Sequence, residues 1–231
     1  MALDYPKHKN ILLQILKDIF SDTLLAPYLG FKGGTAALMF YGLTRDSVDL
    51  DFDLLDESKE QEVFEKIQTM AENYGKIMDS RIKRFNLVTV VSYDLKSQNI
   101  KIEVNRRSFG SQYEVKTYLG ISMLVMVKED MFANKLMAMF ERVHKTSRDI
   151  YDVYFFFKNN WPINKQLVED RAKMPYKKFL AECVRLLEKM DNRHILTGLG
   201  EILSQPQKDW AKAKLLPETI FLLKLALDNE K

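Results

Sequence analysis

Asp49, Asp51 and Asp53 alternate in the run Val48-Asp49-Leu50-Asp51-Phe52-Asp53-Leu54. On an extended chain the three carboxylates share one face, while Leu50, Phe52 and Leu54 face a core. Like charges on one strand face repel, and the usual reason to tolerate them is a hard divalent cation. Mg²⁺, or Mn²⁺ in its place, is typically held by one or two carboxylates plus substrate phosphate oxygens. Upstream stands Lys32-Gly33-Gly34-Thr35, a phosphate-friendly turn, then a short helix from Thr35 to Tyr41 that Gly42 can end. Thr44-Arg45-Asp46-Ser47 supplies turn residues before the strand. This order brings the glycine amides and the helix start near the carboxylates, where a triphosphate could bridge amides and metal. Each piece alone has an ordinary reading: the triplet as a turn with Thr35 capping a helix, the acids as the wet face of an edge strand. Their conjunction is the specific signal.

A second cluster lies further on, where Arg148-Asp149-Ile150-Tyr151-Asp152 follows a helix carrying Lys135. Together, Lys32 to Ala36, Tyr41 to Asp53 and Arg148 to Asp152 resemble the AbiEii/AbiGii family, nucleotidyltransferase-fold toxins of bacterial toxin–antitoxin and phage-defence systems. The wider superfamily carries Gly-Ser before its spaced acids, and the Gly34-Thr35 pair matches the form expected in the AbiEii branch. The resemblance implies transfer of a nucleoside monophosphate from an NTP to an RNA acceptor, with a tRNA as the expected one, and a cognate antitoxin as partner. It assigns Asp49 and Asp51 to the metal. Lys32, Gly33, Gly34, Thr35, Arg45, Ser47, Lys135, Arg148 and Asp149 become the nucleotide-binding set, and Asp152, favoured over Asp149, orients Lys135 or the acceptor.

The positioning elements follow from periodicity. Asn10 to Phe20 and Glu57 to Tyr74 carry apolar residues at helical spacing. Three β-prone runs, Ile77 to Phe85, Leu87 to Leu95 and Ile100 to Arg106, are close enough to form an antiparallel meander. In the last run Lys101, Glu103 and Asn105 alternate with Ile100, Ile102 and Val104. Glu103 is thus the candidate third carboxylate, to hold metal or take a proton from an attacking hydroxyl, with a plain exposed glutamate as the other reading. Val115 to Val127 reads as either a loop or one more strand. Lys128 opens a helix on which Lys135 and Arg142 lie along one line, able to grip phosphates or merely to edge a solvated face. Beyond Pro162 the pattern is helical over Tyr176 to Lys189, His194 to Leu203 and Pro217 to Leu227. Basic residues recur there, including Lys177, Lys178, Lys208 and Lys212, and read either as a surface for an RNA backbone or as ordinary solubility.

These elements imply an α/β fold, and with the resemblance a mixed nucleotidyltransferase-type sheet with flanking helices over residues 1–127 and a helical subdomain over residues 128–231 completing the active-site cleft. With 231 residues, 46% of them hydrophobic, the chain can bury a substantial core. A net charge of +3 is too small to argue nucleic-acid binding without local clusters. No apolar run reaches membrane-spanning length and the first ten residues lack a secretory pattern, so a cytoplasmic protein is expected. His8, His144 and His194 are scattered and imply no metal cluster, and Cys183 reads as a buried small hydrophobe. Two rivals share these features: a nucleotidyltransferase acting on a small molecule such as an antibiotic, and an idle copy that binds a nucleotide or a partner.

Overall fold

The computed structural model describes residues 5–94 and 98–230. Met1 to Asp4, which bear on the secretory reading, and Leu95-Lys96-Ser97, at the end of one predicted strand and its turn, lie outside the described residues. The chain divides into two compact units, Met1–Val127 and Lys128–Lys231.

The first unit is built on a seven-stranded sheet. In chain order its main elements are α1 (Tyr5–Ser21), β1 (Leu29–Lys32), α2 (Gly33–Tyr41), β2 (Leu50–Leu54), α3 (Glu60–Glu72), β3 (Lys76–Ile82), β4 (Asn86–Ser92), β5 (Ile100–Asn105), β6 (Tyr113–Tyr118) and β7 (Ile121–Met126). The strands lie in the order β3-β4-β5-β2-β1-β7-β6. The β3-β4-β5 meander is antiparallel as predicted, whereas β2 pairs with β5, and β1 with β7, in parallel. Alternation explains the sidedness of the centre: Phe31 and Phe52 are fully buried and pack against Phe20 of α1, while Lys32 and Asp51 alternate with them. Gly42, at φ 74°, ends α2 in the left-handed conformation, with its N–H donating to the Ala37 carbonyl.

The segment read as loop or strand is a hairpin, β6–β7, turned by Leu119-Gly120 with both φ positive (49° and 81°). Positive φ at both loop residues suits the tight hairpin turn whose twist matches the flanking strands.

The second unit is helical: α4 (Lys128–Arg142), α5 (Arg148–Lys158), α6 (Lys165–Ala172), α7 (Tyr176–Glu188), α8 (Gln205–Trp210) and α9 (Leu216–Asp228). Its core includes Phe132, Phe156 and Phe179, all essentially inaccessible. One prediction is corrected here. Residues 194–203 form no α-helix: a 3₁₀ turn, Asn192–His194, leads into further turns, with Gly198 at φ 73° interrupting the periodic run. The helix expected over Pro217 to Leu227 is α9, with Pro217 in its first turn, where the missing N–H costs least, and a π-helical stretch, Ala211–Leu215, joins it to α8.

Candidate active site

Strand register assembles the acidic face. Lys32 stands opposite Asp51 across β1–β2, and Asp51 opposite Glu103 across β2–β5; one pleat further, Gly30, Asp53 and Asn105 line up in the same way. Residues directly opposite share a face, so β1, β2 and β5 present Lys32, Asp51, Glu103, Asp53 and Asn105 together.

The start of α2 sits against this face. Gly33 has φ 80°, and a Cβ built on it would lie 2.4 Å from Asp51 Oδ2, so only glycine lets the helix start approach that carboxylate. A Cβ on Gly34 would fall 2.8 Å from both the Arg45 guanidinium and Ser47 Oγ, which pack behind the turn. The Thr35 hydroxyl, 3% exposed as a residue, donates to the Asp49 carbonyl at 2.5 Å and lies 2.9 Å from Ser47 Oγ. Thr35 and Ser47 thus fasten the loop that presents Asp49. Arg45 is also buried, and its Nη1 donates to the Asp46 carbonyl at 2.9 Å.

The acids differ in their partners. Asp53 is buried and saturated, with Lys32 Nζ at 2.5 Å, Asn105 Nδ2 at 2.6 Å and the Tyr113 hydroxyl at 2.5 Å. The Tyr113 ring lies over Gly30, where a Cβ would come within 2.3 Å of it. Glu103 accepts hydrogen bonds from Asn86 Nδ2 and from Lys101 Nζ, the latter at 2.5 Å. Burial works to lower the Lys101 ammonium, but the charge of Asp51, the hydrogen bond and charge of Glu103, and the charge of Asp49 outweigh it and hold it above its ordinary value. Lys101 is therefore a counter-ion of the acidic face at Glu103, as Lys32 is at Asp53.

Among the described residues no three His, Cys, Asp or Glu side chains form a group that could hold a metal ion. The donor chemistry still fits Mg²⁺ in its common protein setting, where one or two carboxylates leave the remaining positions to phosphate oxygens and water. Asp51, beside the Gly33 cradle, and Asp49, one alternate position upstream, are the residues of that type.

In the helical unit the structure brings Lys135, Asp149 and Asp152 together. Lys135 Nζ is 2.8 Å from Asp152 Oδ2 and 3.2 Å from Asp149 Oδ1, and Arg142 Nη2 is 2.8 Å from Asp149 Oδ2. Asp152 is fully buried and Asp149 nearly so; Lys135 is largely buried on both carboxylates, whereas Arg142 reaches Asp149 from a solvated edge, its side chain half exposed. Arg148 is turned elsewhere, its Nε donating to the Gly198 carbonyl at 2.8 Å. His144 and His194, distant in sequence, line one cavity of about 370 Å³ with Asp191 and Ser147.

Several partners escaped the sequence reading. Alternation makes Lys101 and Asn105 the same-face neighbours of Glu103, and only the parallel β2–β5 register shows that their face is the face of Asp51 and Asp53. Tyr113 left no sequence signal, because its role depends on β6 folding back over Gly30.

Comparison with known proteins settles the family. A family profile described as "Nucleotidyl transferase AbiEii toxin, Type IV TA system" matches residues 14–216. The chain belongs to the AbiEii family. Two solved structures share the fold of this AbiEii protein. JHP933 from Helicobacter pylori superposes with a TM-score of 0.63 at 19% identity, covering 99% of this chain and 94% of the other. A second H. pylori structure, provisionally assigned as a nucleotidyltransferase, gives a TM-score of 0.60 at 20% identity, covering 99% and 96%. No curated protein matches the sequence. The AbiEii chain is thus a nucleotidyltransferase-fold protein of a toxin–antitoxin family, and no helix of its described residues is long and apolar enough to cross a membrane.

Proposed function

We propose that this AbiEii chain transfers a nucleoside monophosphate from an NTP to an RNA acceptor, a tRNA, as the cytoplasmic toxin of a pair that serves phage defence and is neutralised by a cognate antitoxin. The acceptor hydroxyl oxygen forms the new bond to the α-phosphorus, the α–β bridging P–O bond breaks, and pyrophosphate leaves. Asp49 and Asp51 would hold Mg²⁺ with the phosphate oxygens. Bound there, the ion would supply charge neutralisation to the triphosphate and stabilise the attacking and leaving oxygens. Glu103 is the base that takes the hydroxyl proton, and Lys101, its neighbour, tempers its charge until then. The amides of Gly33 and Gly34 at the start of α2 cradle phosphate oxygens, while Thr35, Ser47 and Arg45 hold that turn in place. Lys32 and Lys135 supply counter-charge, and Asp152, assisted by Asp149, orients the Lys135 ammonium. Arg148 fixes the start of α5.

The observation that carries this reading is the approach of Gly33 to Asp51, with a Cβ position only 2.4 Å from the carboxylate oxygen. A helix N-terminus offers its free amides to phosphate oxygens, and the acid beside it is a ligand of the type that Mg²⁺ takes, so the two together suit a metal-bound triphosphate. The decisive experiment incubates the purified chain with each labelled NTP, Mg²⁺ and total RNA, in parallel with Asp51→Ala. Label should enter RNA with the intact chain and not with the variant. NTP consumption without labelled RNA would point to a small-molecule acceptor instead, and nucleotide binding without turnover to an idle copy.

A further inference from the structure

Phe85, at the tip of the β3–β4 hairpin, is 42% exposed. Two guanidinium groups lie over its ring, Arg84 Cζ at 4.9 Å and Arg107 Cζ at 4.8 Å from the centroid, and Arg107 also lies 5.2 Å from the Phe109 ring. Lys83 adjoins them in sequence at the same tip. The tip is held in place by Arg106, whose N–H donates to the Phe85 carbonyl at 2.8 Å and whose Nη1 donates to the Lys83 carbonyl at 2.9 Å. Arg106 is itself neutralised by Glu60, and Arg81 by Asp79. Among the described residues Lys83, Arg84 and Arg107 have no acidic partner. The patch therefore sets an exposed aromatic ring beside three cations that have no acidic partner among the described residues, Lys83 and Arg84 on the braced hairpin and Arg107 just past β5.

This patch also connects to the acidic face. Arg107 Nε donates to Asn105 Oδ1 at 3.0 Å, and Asn105 Nδ2 donates to Asp53 Oδ1 at 2.6 Å. We propose that Phe85, Lys83, Arg84 and Arg107 form the docking surface for a single-stranded segment of the RNA acceptor, a base stacking on the Phe85–arginine platform and the cations meeting its phosphates. The inference rests on the RNA reading above and moves the acceptor contact from the basic helices to the sheet unit. Aromatic rings beside arginine are the combination that single-stranded nucleic acid exploits, because every base has a π-face and every linkage a negative charge. An acidic protein segment would use the charges but would gain nothing specific from the stacked ring.

The test measures binding of a fluorescent, unstructured oligoribonucleotide to the full chain by anisotropy over a range of salt, without NTP. Phe85→Ala should weaken binding about tenfold, the scale of losing one base stack, and Phe85→Tyr should retain affinity where Phe85→Leu does not. Arg84→Ala with Arg107→Ala should flatten the salt dependence, because two fewer phosphates are neutralised. If these variants bind as the intact chain does while Lys208→Ala with Lys212→Ala loses affinity, the platform is refuted and the RNA reading survives on the helical unit. If the oligoribonucleotide does not bind and no RNA is labelled in the transfer assay, both readings fall together. Binding of a poly-glutamate peptide with the same dependence on Phe85, and none of RNA, would also overturn the proposal in favour of a protein partner.

Discussion

Lys101 and Glu103 stand two residues apart on one strand face, and their contact shows how a row of acids is kept together before a cation arrives. The ammonium already fills the electrostatic role of a metal, so it competes with one. Removing the charge while keeping the stem, Lys101→Met, should tighten Mn²⁺ binding to the nucleotide-free chain about tenfold, since a unit charge a few ångströms away contributes on the order of 1 kcal/mol or more. Titration calorimetry reads this directly, and Lys101→Arg should match the parent; unchanged affinity in Lys101→Met would remove the lysine from the account. The second cluster makes a different demand. Asp152 is fully buried against Lys135, so Lys135→Met takes the countercharge from a buried carboxylate and should cost about 3–5 kcal/mol in urea unfolding. Adding Asp152→Asn should recover much of that stability without recovering nucleotide transfer. Restored transfer in the double variant would mean that the pair serves only the fold.

At the scale of elements, the acidic strand is positioned by what surrounds its entrance. His8 of α1 is fully buried, with Nε2 2.9 Å from the Val48 carbonyl and Nδ1 2.8 Å from the Tyr93 hydroxyl. Nε2 must donate to the carbonyl, so Nδ1 accepts from tyrosine and the ring is neutral. Burial pushes the imidazole below its usual value of 6.5, only partly opposed by the Val48 hydrogen bond. The unfolded chain therefore takes up the proton first as pH falls. The contribution of His8 is complete above about pH 6.5 and is lost as pH falls through that value towards the lower folded one. Urea unfolding between about pH 7.5 and about pH 5.5 should show a loss of stability that His8→Gln largely removes, because glutamine still donates to Val48 but does not titrate; equal slopes would refute the assignment.

The same scale shows what the sequence could and could not disclose. α2, β2 and the meander were legible because their periodicity and their glycines act locally. The β6–β7 turn was not, because Leu119 at positive φ is a conformation that leucine rarely adopts and that no dipeptide rule announces. The run from His194 to Leu203 has helical apolar spacing, yet Gly198 packs against Thr146, where a Cβ would come within 2.6 Å of the hydroxyl, and a tertiary contact overrides the local pattern. The candidate acids were readable from alternation alone, whereas their counter-ions depended on which strands become neighbours.

Over the whole molecule, the chain carries two cores rather than one. Phe52 anchors the first beneath β2, and Phe179 the second, with its ring 5.0 Å from Phe140. Cys183 lies one helical turn from Phe179 on α7, fully inaccessible, and burial raises its thiol far above the ordinary range with a smaller push from Glu182. A thiol so placed is inert until the helices around it open. It is therefore a built-in reporter of the second core alone. Phe52→Ala and Phe179→Ala should each cost about 3–5 kcal/mol, since both delete a fully buried ring. Their effects on Cys183 should differ: Phe179→Ala should expose the thiol to a disulfide reagent at a denaturant concentration where the parent is protected, and Phe52→Ala should leave it protected there. This follows if each unit holds its own core and opens on its own free energy. Equal labelling of the two variants would show instead that the sheet and the helices unfold as one cooperative body.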